Sequence, residues 1–219
     1  MCEVRSLVPK ALKDGYRRFR SERYAVEASK YRELSAGQSP ATMVVACADS
    51  RVDPATIFAA SPGELFVVRN VAALIPPFEP SSGYHGTSAA LEYGVSELRV
   101  RDIVVLGHGL CGGIAASIGG MEGQTPGQFI GPWVDLLSPV RDEMLADDDG
   151  SLTPERRQRL LEWMAVLFSI KNLRSFSFIT DAVAEGSLRL HGAWFSIADG
   201  ELYWLNEGRG TFELVEPSA

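Results

Sequence analysis

Two short apolar runs end in clusters of reactive side chains, and this pairing constrains the fold more than any other feature of the chain. Met43-Val44-Val45-Ala46 leads into Cys47-Ala48-Asp49-Ser50-Arg51. Ile103-Val104-Val105-Leu106 leads into Gly107-His108-Gly109-Leu110-Cys111-Gly112-Gly113. Short β-branched runs bounded by turn formers read as buried strands. Two neighbouring parallel strands deliver their C-terminal residues to one crevice. Such a crevice would gather Cys47, Asp49, Arg51, His108 and Cys111, the donor inventory of an open zinc site.

The rest of the chain suits that arrangement. Strands are predicted at about 43–48, 64–69 and 102–107, with helices at about 54–60 and 86–98 and another starting near Cys111. A helix over about 9–36, with a narrow apolar stripe at Leu12, Tyr16 and Phe19, precedes the first strand and reads as an arm on a core or on a partner subunit. Thr153 caps a long helix to about 173, with Pro154 at its first position. Phe176–Ile179 reads as a short strand, and 188–198 and 201–206 as two strands joined by Ala198-Asp199-Gly200. Residues 119–131 read as a Gly-rich loop. Asp147-Asp148-Asp149-Gly150 reads as a solvated turn, because it lacks the alternating spacing and terminal Glu of a calcium loop. The predicted class is α/β, a mostly parallel central sheet with an antiparallel edge strand and helices on both faces. An N-terminal helical arm over 1–36 would precede a single α/β zinc-enzyme domain over 37–219.

Composition excludes some functions. A formal charge of −7, from 21 basic and 28 acidic residues, weighs against nucleic-acid binding. No apolar run reaches the roughly 18 residues of a membrane span. The first residues lack the apolar core of a secretory signal. Cys2, Cys47 and Cys111 make no disulfide framework, so reduced thiols in a cytoplasm are expected.

Gly107-His108-Gly109-Leu110-Cys111-Gly112 also matches the G-x-G-x-x-G dinucleotide fingerprint. That motif requires a following helix, a strand and an acidic residue about 20 positions on. Here a Gly-rich stretch follows and Glu122 comes too early. Taken singly, Cys47 and Cys111 could be core thiols. Asp49 and Arg51 argue otherwise, since a charged pair at a strand end has no place in a core. His108 and Cys111 on one turn, with Cys47 as a third donor, leave a tetrahedral ion one open position, the catalytic pattern.

CADSRVDP, PGELFVVRN, ALEYGV and HGLCGG together closely resemble the β-class carbonic anhydrases, from about Gly37 to Ala115, with NLRSF and GSLRLHGAWFSI extending the likeness. The resemblance implies reversible hydration of carbon dioxide to bicarbonate and a proton through a zinc-bound hydroxide. One zinc ion per chain would sit on Cys47, His108 and Cys111. Asp49 and Arg51 would be the catalytic pair, with Asp49 a possible fourth ligand in a closed state. Self-inhibited relatives carry a tryptophan where this chain has Val44, so the likeness is to the plant-like, open-site branch. From that branch Gln38, Phe66, Tyr93 and Gly112 would bind substrate. Glu97 stands where some members have a relay histidine, and Ser177 where a proline is common. The resemblance further implies self-association as a dimer or dimer of dimers, with sites at the interface and no nucleic-acid or membrane partner. A catalytically silent zinc- or bicarbonate-binding relative and a carbon disulfide hydrolase on the same scaffold remain the alternatives.

Overall fold

A computed structural model describes residues 8–81, 83–119 and 127–216. Cys2, Glu122 and the 120–126 part of the predicted Gly-rich loop lie outside the described residues. The chain divides into two compact units, Met1–Gln38 and Ser39–Ala219. In the first, α1 (Lys10–Arg18) and α2 (Tyr24–Leu34) are joined by a π-helical turn, Phe19–Arg23. Phe19 meets Tyr31 edge-on at 5.9 Å, and Tyr24 lies 5.1 Å from Tyr31. Leu12 and Tyr16, on the predicted stripe, are exposed.

The second unit is built on a six-stranded sheet. Its strands are β1 (Thr42–Cys47), β2 (Leu65–Asn70), β3 (Asp102–His108), β4 (Arg189–Ser196), β5 (Glu201–Asn206) and β6 (Thr211–Leu214). Their order is β2-β1-β3-β4-β5-β6. The first four are mutually parallel, while β5 and β6 pair antiparallel at one edge. The helices are α3 (Pro54–Ile57), α4 (Gly86–Glu92), α5 (Gly112–Gly119), α6 (Ile130–Val134), α7 (Ser138–Ala146), α8 (Pro154–Leu173) and α9 (Ser177–Ala184).

Both faces of the central strands are covered, which explains why their sequences run apolar rather than alternating. Met43, Val45, Ile103 and Val105 pack with Val166, Ile170 and Leu173 of α8 and Ile179 of α9. Val44, Ala46, Val104 and Leu106 pack with Ile57, Phe58 and Trp204. Full burial of a Val or Ile side chain stabilises by about 1.5–3 kcal/mol.

Helix α8 lies close to the sheet because glycines face it. A Cβ on Gly107 would stand 2.7 Å from Val166 Cγ2, and one on Gly192 2.9 Å from both Val166 Cγ1 and Ile170 Cδ1. Gly107→Ala is therefore expected to destabilise the fold by about 1–3 kcal/mol, as overpacking of a dense core does. Urea unfolding checks this, and a midpoint equal to that of the wild type would contradict it.

Three expectations need correction. Phe176–Ile179 is no strand. The Phe176 carbonyl accepts from the Ile179 and Thr180 N–H groups and opens α9. A short apolar run cannot distinguish strand from helix by periodicity. The predicted loop ends early, since α6 starts at Ile130. The 147–150 turn does form, but Asp148 is not solvated. Its side chain is 5% exposed, pairs with Arg157 at 2.9 Å and accepts from the Gly150 and Leu152 N–H groups. The Thr153 cap on α8 is present, its hydroxyl accepting from Arg156 N at 3.3 Å.

Candidate metal centre

The β1/β3 boundary is the switch point of the sheet. From β1 the chain passes to β2 on one side and returns to β3 on the other. Open α/β sheets form their binding crevice at such a point, outside the carboxyl ends of the strands. Cys47 ends β1, His108 ends β3, and Cys111 lies in the turn that enters α5.

These three side chains converge. One ligand atom from each of Cys47, His108 and Cys111 lies within 4.8 Å of the others, and all three residues are buried. The two Sγ atoms are 3.9 Å apart, and both cysteines are free. His108 Nδ1 is 2.9 Å from the Gly109 carbonyl oxygen. A carbonyl can only accept, so Nδ1 carries the proton and Nε2 presents a lone pair. That buried Nε2 has no hydrogen-bond partner among the described residues. An orphaned acceptor is costly in a dry interior unless something positive meets it.

The thiols carry the same message. The hydrogen bond from Cys111, reinforced by the Ala72 N–H, pulls the Cys47 thiol well below its usual range despite its burial. Cys111 is pushed up by the neighbouring Cys47 sulfur and by burial. Two thiolates side by side repel each other unless a cation stands between them. Two thiols and one imidazole lone pair suit zinc, which is borderline-soft and takes S and N donors tetrahedrally. The residues present therefore fit a zinc ion and supply three of its four positions.

At the rim, Arg51 grips Asp49 with both arms. Nε donates to Oδ1 at 2.9 Å and Nη2 to Oδ2 at 2.7 Å, and the Arg51 N–H adds a third bond to Oδ1 at 2.9 Å. The guanidinium holds the Asp49 carboxyl well below the usual carboxylate range. Arg51 Nη2 also donates to the Leu110 carbonyl at 3.1 Å, tying the first cluster to the second.

Comparison with known proteins agrees with this chemistry. A family model described as "Carbonic anhydrase" matches residues 42–202. The chain belongs to the carbonic anhydrase family. It is 33% identical over 207 residues to beta carbonic anhydrase 3 of Arabidopsis thaliana, covering 94% of this chain and 76% of that protein. It superposes on the structure of the beta-carbonic anhydrase CcaA with a TM-score of 0.87, at 28% identity over 94% of this chain and 92% of that one. For CafA of the fungal pathogen Aspergillus fumigatus the TM-score is 0.80, at 28% identity over 94% and 91%. For one of two tetrameric beta-carbonic anhydrases of Sordaria macrospora it is 0.71, at 29% identity over 90% and 92%. The family assignment is thus to the β class, and the mostly parallel sheet with its antiparallel edge is the fold of these relatives.

The other residues singled out from the sequence divide by location. Gly112 opens α5 and is exposed, with nothing within 4 Å of where a Cβ would stand. The remaining glycines of the fingerprint-like stretch serve packing. A Cβ on Gly109 would stand 3.0 Å from Trp194, and one on Gly113 2.7 Å from Val71. Phe66 and Tyr93 face each other with ring centroids 5.9 Å apart. Within this chain they do not meet the metal cluster. Phe66 pairs with Met43 and Asn70 with Cys47, so Phe66 sits four residues, about 13 Å, down the sheet from the cysteine. Gln38 is exposed and closes the N-terminal unit. Val44 is fully buried in the sheet, and Glu97 is exposed.

Several supporting groups escaped the sequence reading. Arg69 Nε donates to the Cys47 carbonyl at 2.9 Å, Nη2 bonds the Asp49 carbonyl, and Nη1 pairs with Asp53 at 3.3 Å. Ala72, Ala73 and Leu110, which flank the cysteines, all have positive φ, at 64°, 55° and 56°. Left-handed backbone at non-glycine residues persists only where surroundings enforce it, and it clusters at functional sites. Glu162 of α8 is 3% exposed behind Cys111. Burial pushes its carboxyl up, against the pull of three N–H donors. A signal for it was present: Glu162, Val166, Ser169 and Leu173 share one helical stripe, so a carboxylate lies on a buried face.

Proposed function

We propose that this protein reversibly hydrates carbon dioxide to bicarbonate and a proton, with one zinc ion per chain held by Cys47, His108 and Cys111. The observation that carries this reading is the unpartnered His108 Nε2 beside two reduced, buried thiols. Zinc bound there supplies a Lewis acid that makes water a nucleophile near neutral pH.

The chain's own residues then do three things. Cys47 and Cys111, as thiolates, offset the charge of the cation more than neutral imidazoles do, so activity is expected to rise on the alkaline side of neutrality. Asp49 stays ionised and has no proton to give, so it can only accept. Its Oδ1 already takes two donors, while Oδ2 takes only Arg51 Nη2 among the described residues. Oδ2 therefore has a lone pair for the O–H of the nucleophile, which turns the nucleophile's own lone pair towards carbon dioxide. Arg51 fixes that oxygen in place. The engagement of Asp49 with Arg51 favours an open site, with Asp49 off the metal. Gly112, exposed at the start of α5, has an N–H that suits a bicarbonate oxygen.

Phe66 and Tyr93 support an assembly. About 13 Å from their own chain's cysteine along the sheet, they can wall a substrate pocket only against a second copy, as a dimer or dimer of dimers provides. Tyr93 is 46% exposed, and Tyr84 and Phe129 are also exposed. Gln38 is the substrate amide in this reading. No helix among the described residues is long and apolar enough to cross a membrane. The requirement for reduced ligand thiols favours a cytoplasmic setting.

Zinc content together with stopped-flow carbon dioxide hydration tests the reading. About one zinc per chain and hydration that rises from pH 7 to 9 are expected. Folded protein without zinc would overturn it. Stoichiometric zinc without hydration would favour the silent relative, and turnover of carbon disulfide in its place would favour the hydrolase.

A further inference from the structure

We propose that Glu162, together with Gln158 one turn earlier on α8, is the positioning residue for Cys111 and sets where the second thiolate stands. The proposal rests on the zinc reading above and adds to it a support drawn from a distant part of the chain.

The pair holds both ends of the Cys111 residue. The Cys111 N–H donates to Glu162 Oε1 at 3.1 Å, and Gln158 Nε2 donates to the Cys111 carbonyl at 3.3 Å. Gln158 Nε2 also donates to Glu162 Oε1 at 3.1 Å, which locks the two side chains together. From the other side, Trp194 Nε1 on β4 donates to Glu162 Oε2 at 3.2 Å. The metal turn is thus bolted to α8 and β4 through one carboxylate.

Two further observations say why such a bolt is needed. Leu110, just before Cys111, has φ +56° and is 59% exposed. Burial of Leu110 therefore does not enforce the left-handed turn that aims Cys111 inward. The bonds at either side do, from Arg51 to the Leu110 carbonyl and from Glu162 and Gln158 to Cys111. In addition, Glu162 is buried with no cation paired to its carboxylate among the described residues, whereas the covered Asp148 side chain is held by Arg157. A buried carboxylate is expensive unless its hydrogen bonds are made. An apolar side chain would fill the same space on α8 without that cost, so what Glu162 adds is orientation. Groups that orient metal ligands in this way are worth roughly 10–100-fold in metal affinity.

Glu162→Gln tests the assignment, since it keeps the shape but leaves one acceptor oxygen for two sets of donors. Zinc affinity is read by competition with a chromophoric chelator, and ligand geometry by the thiolate-to-metal absorption of the cobalt(II)-loaded chain. Affinity about 10-fold weaker or more, with an altered cobalt spectrum and a metal-free chain that still unfolds cooperatively, is expected. Ile170→Ala, buried on the same helix, is the comparison. It removes apolar packing from the core cluster on the Met43 and Ile103 side of the sheet, and is expected to lower stability while leaving zinc affinity unchanged. Wild-type zinc affinity and cobalt spectrum in Glu162→Gln would overturn the proposal. Equal zinc loss in Ile170→Ala would also overturn it, because general loosening would then be the cause. Should Glu162→Gln fail to fold, the half-buried Gln158→Ala decides, with weaker zinc binding expected and unchanged binding overturning the assignment. A wild-type chain that binds neither metal would remove the zinc reading itself, and is told apart by needing no variant.

Discussion

Cys47→Ser is expected to lose zinc and, with it, carbon dioxide hydration down to the uncatalysed rate. Serine keeps the shape of the side chain but stays protonated at neutral pH, so the site retains one thiolate and one imidazole. The loss in zinc affinity is expected to exceed the roughly 10–100-fold that follows removal of a group merely supporting a ligand. The fold is expected to survive. Cys47 is 4% exposed and its sulfur accepts from the Ala72 N–H at 3.3 Å, a bond a hydroxyl can also accept. Zinc per chain after gel filtration, with a far-ultraviolet spectrum as the control for folding, checks both halves. A folded Cys47→Ser chain that keeps one zinc at wild-type affinity would show that another residue is the third ligand.

Asp49→Ala gives the second large effect, and of a different kind. Zinc is expected to stay, because Asp49 is outside the Cys47, His108 and Cys111 cluster. Hydration is expected to fall by roughly 10²-fold, the scale of removing one preorganised hydrogen-bonding partner from a transition state. Its pH dependence follows from the Arg51 contact. A depressed carboxyl pKa keeps the carboxylate form at every pH above the unfolded value of about 3.9, and it is lost only in stronger acid. Asp49 therefore contributes no limb to the rate profile between pH 6 and 9. Asp49→Asn should lower the rate by a similar factor across that range without moving the inflection. Stopped-flow kinetics over pH checks this, and an inflection that disappears with Asp49 would assign the titration to the carboxylate instead. Arg51→Ala should cost less. Asp49 then keeps its charge but loses the two side-chain bonds that fix its oxygens.

Much of this was legible because metal chemistry needs particular residue types. Two cysteines, a histidine and a charged pair at the ends of two apolar runs are what a metal centre would call for, and a core has no use for the charged pair. The parallel sheet was legible for a similar reason, since a strand buried on both faces must be apolar throughout. Local patterns failed where they carry little information. The run Phe176–Ile179 is too short for periodicity to separate helix from strand, and β6, a four-residue edge strand, leaves almost no pattern. Asp148 reads as a surface residue within an acidic run, yet Arg157, from the next helix, draws its side chain under cover.

Strand periodicity pointed to the α/β class, because strand burial marks every residue of the run. Residue identity offered a candidate donor set, because soft thiolate and imidazole donors are specific. The family was legible through the resemblance of its motifs. The tertiary structure decided what lies between those groups. It chose the His108 tautomer through the Gly109 carbonyl. It placed Phe66 far down the sheet from Cys47, although both belong to motifs that read as one site. It also brought Glu162 beneath Cys111 from 51 residues away in the chain. Hydrogen bonds between distant segments depend on where backbones meet, and no local window of sequence carries that information.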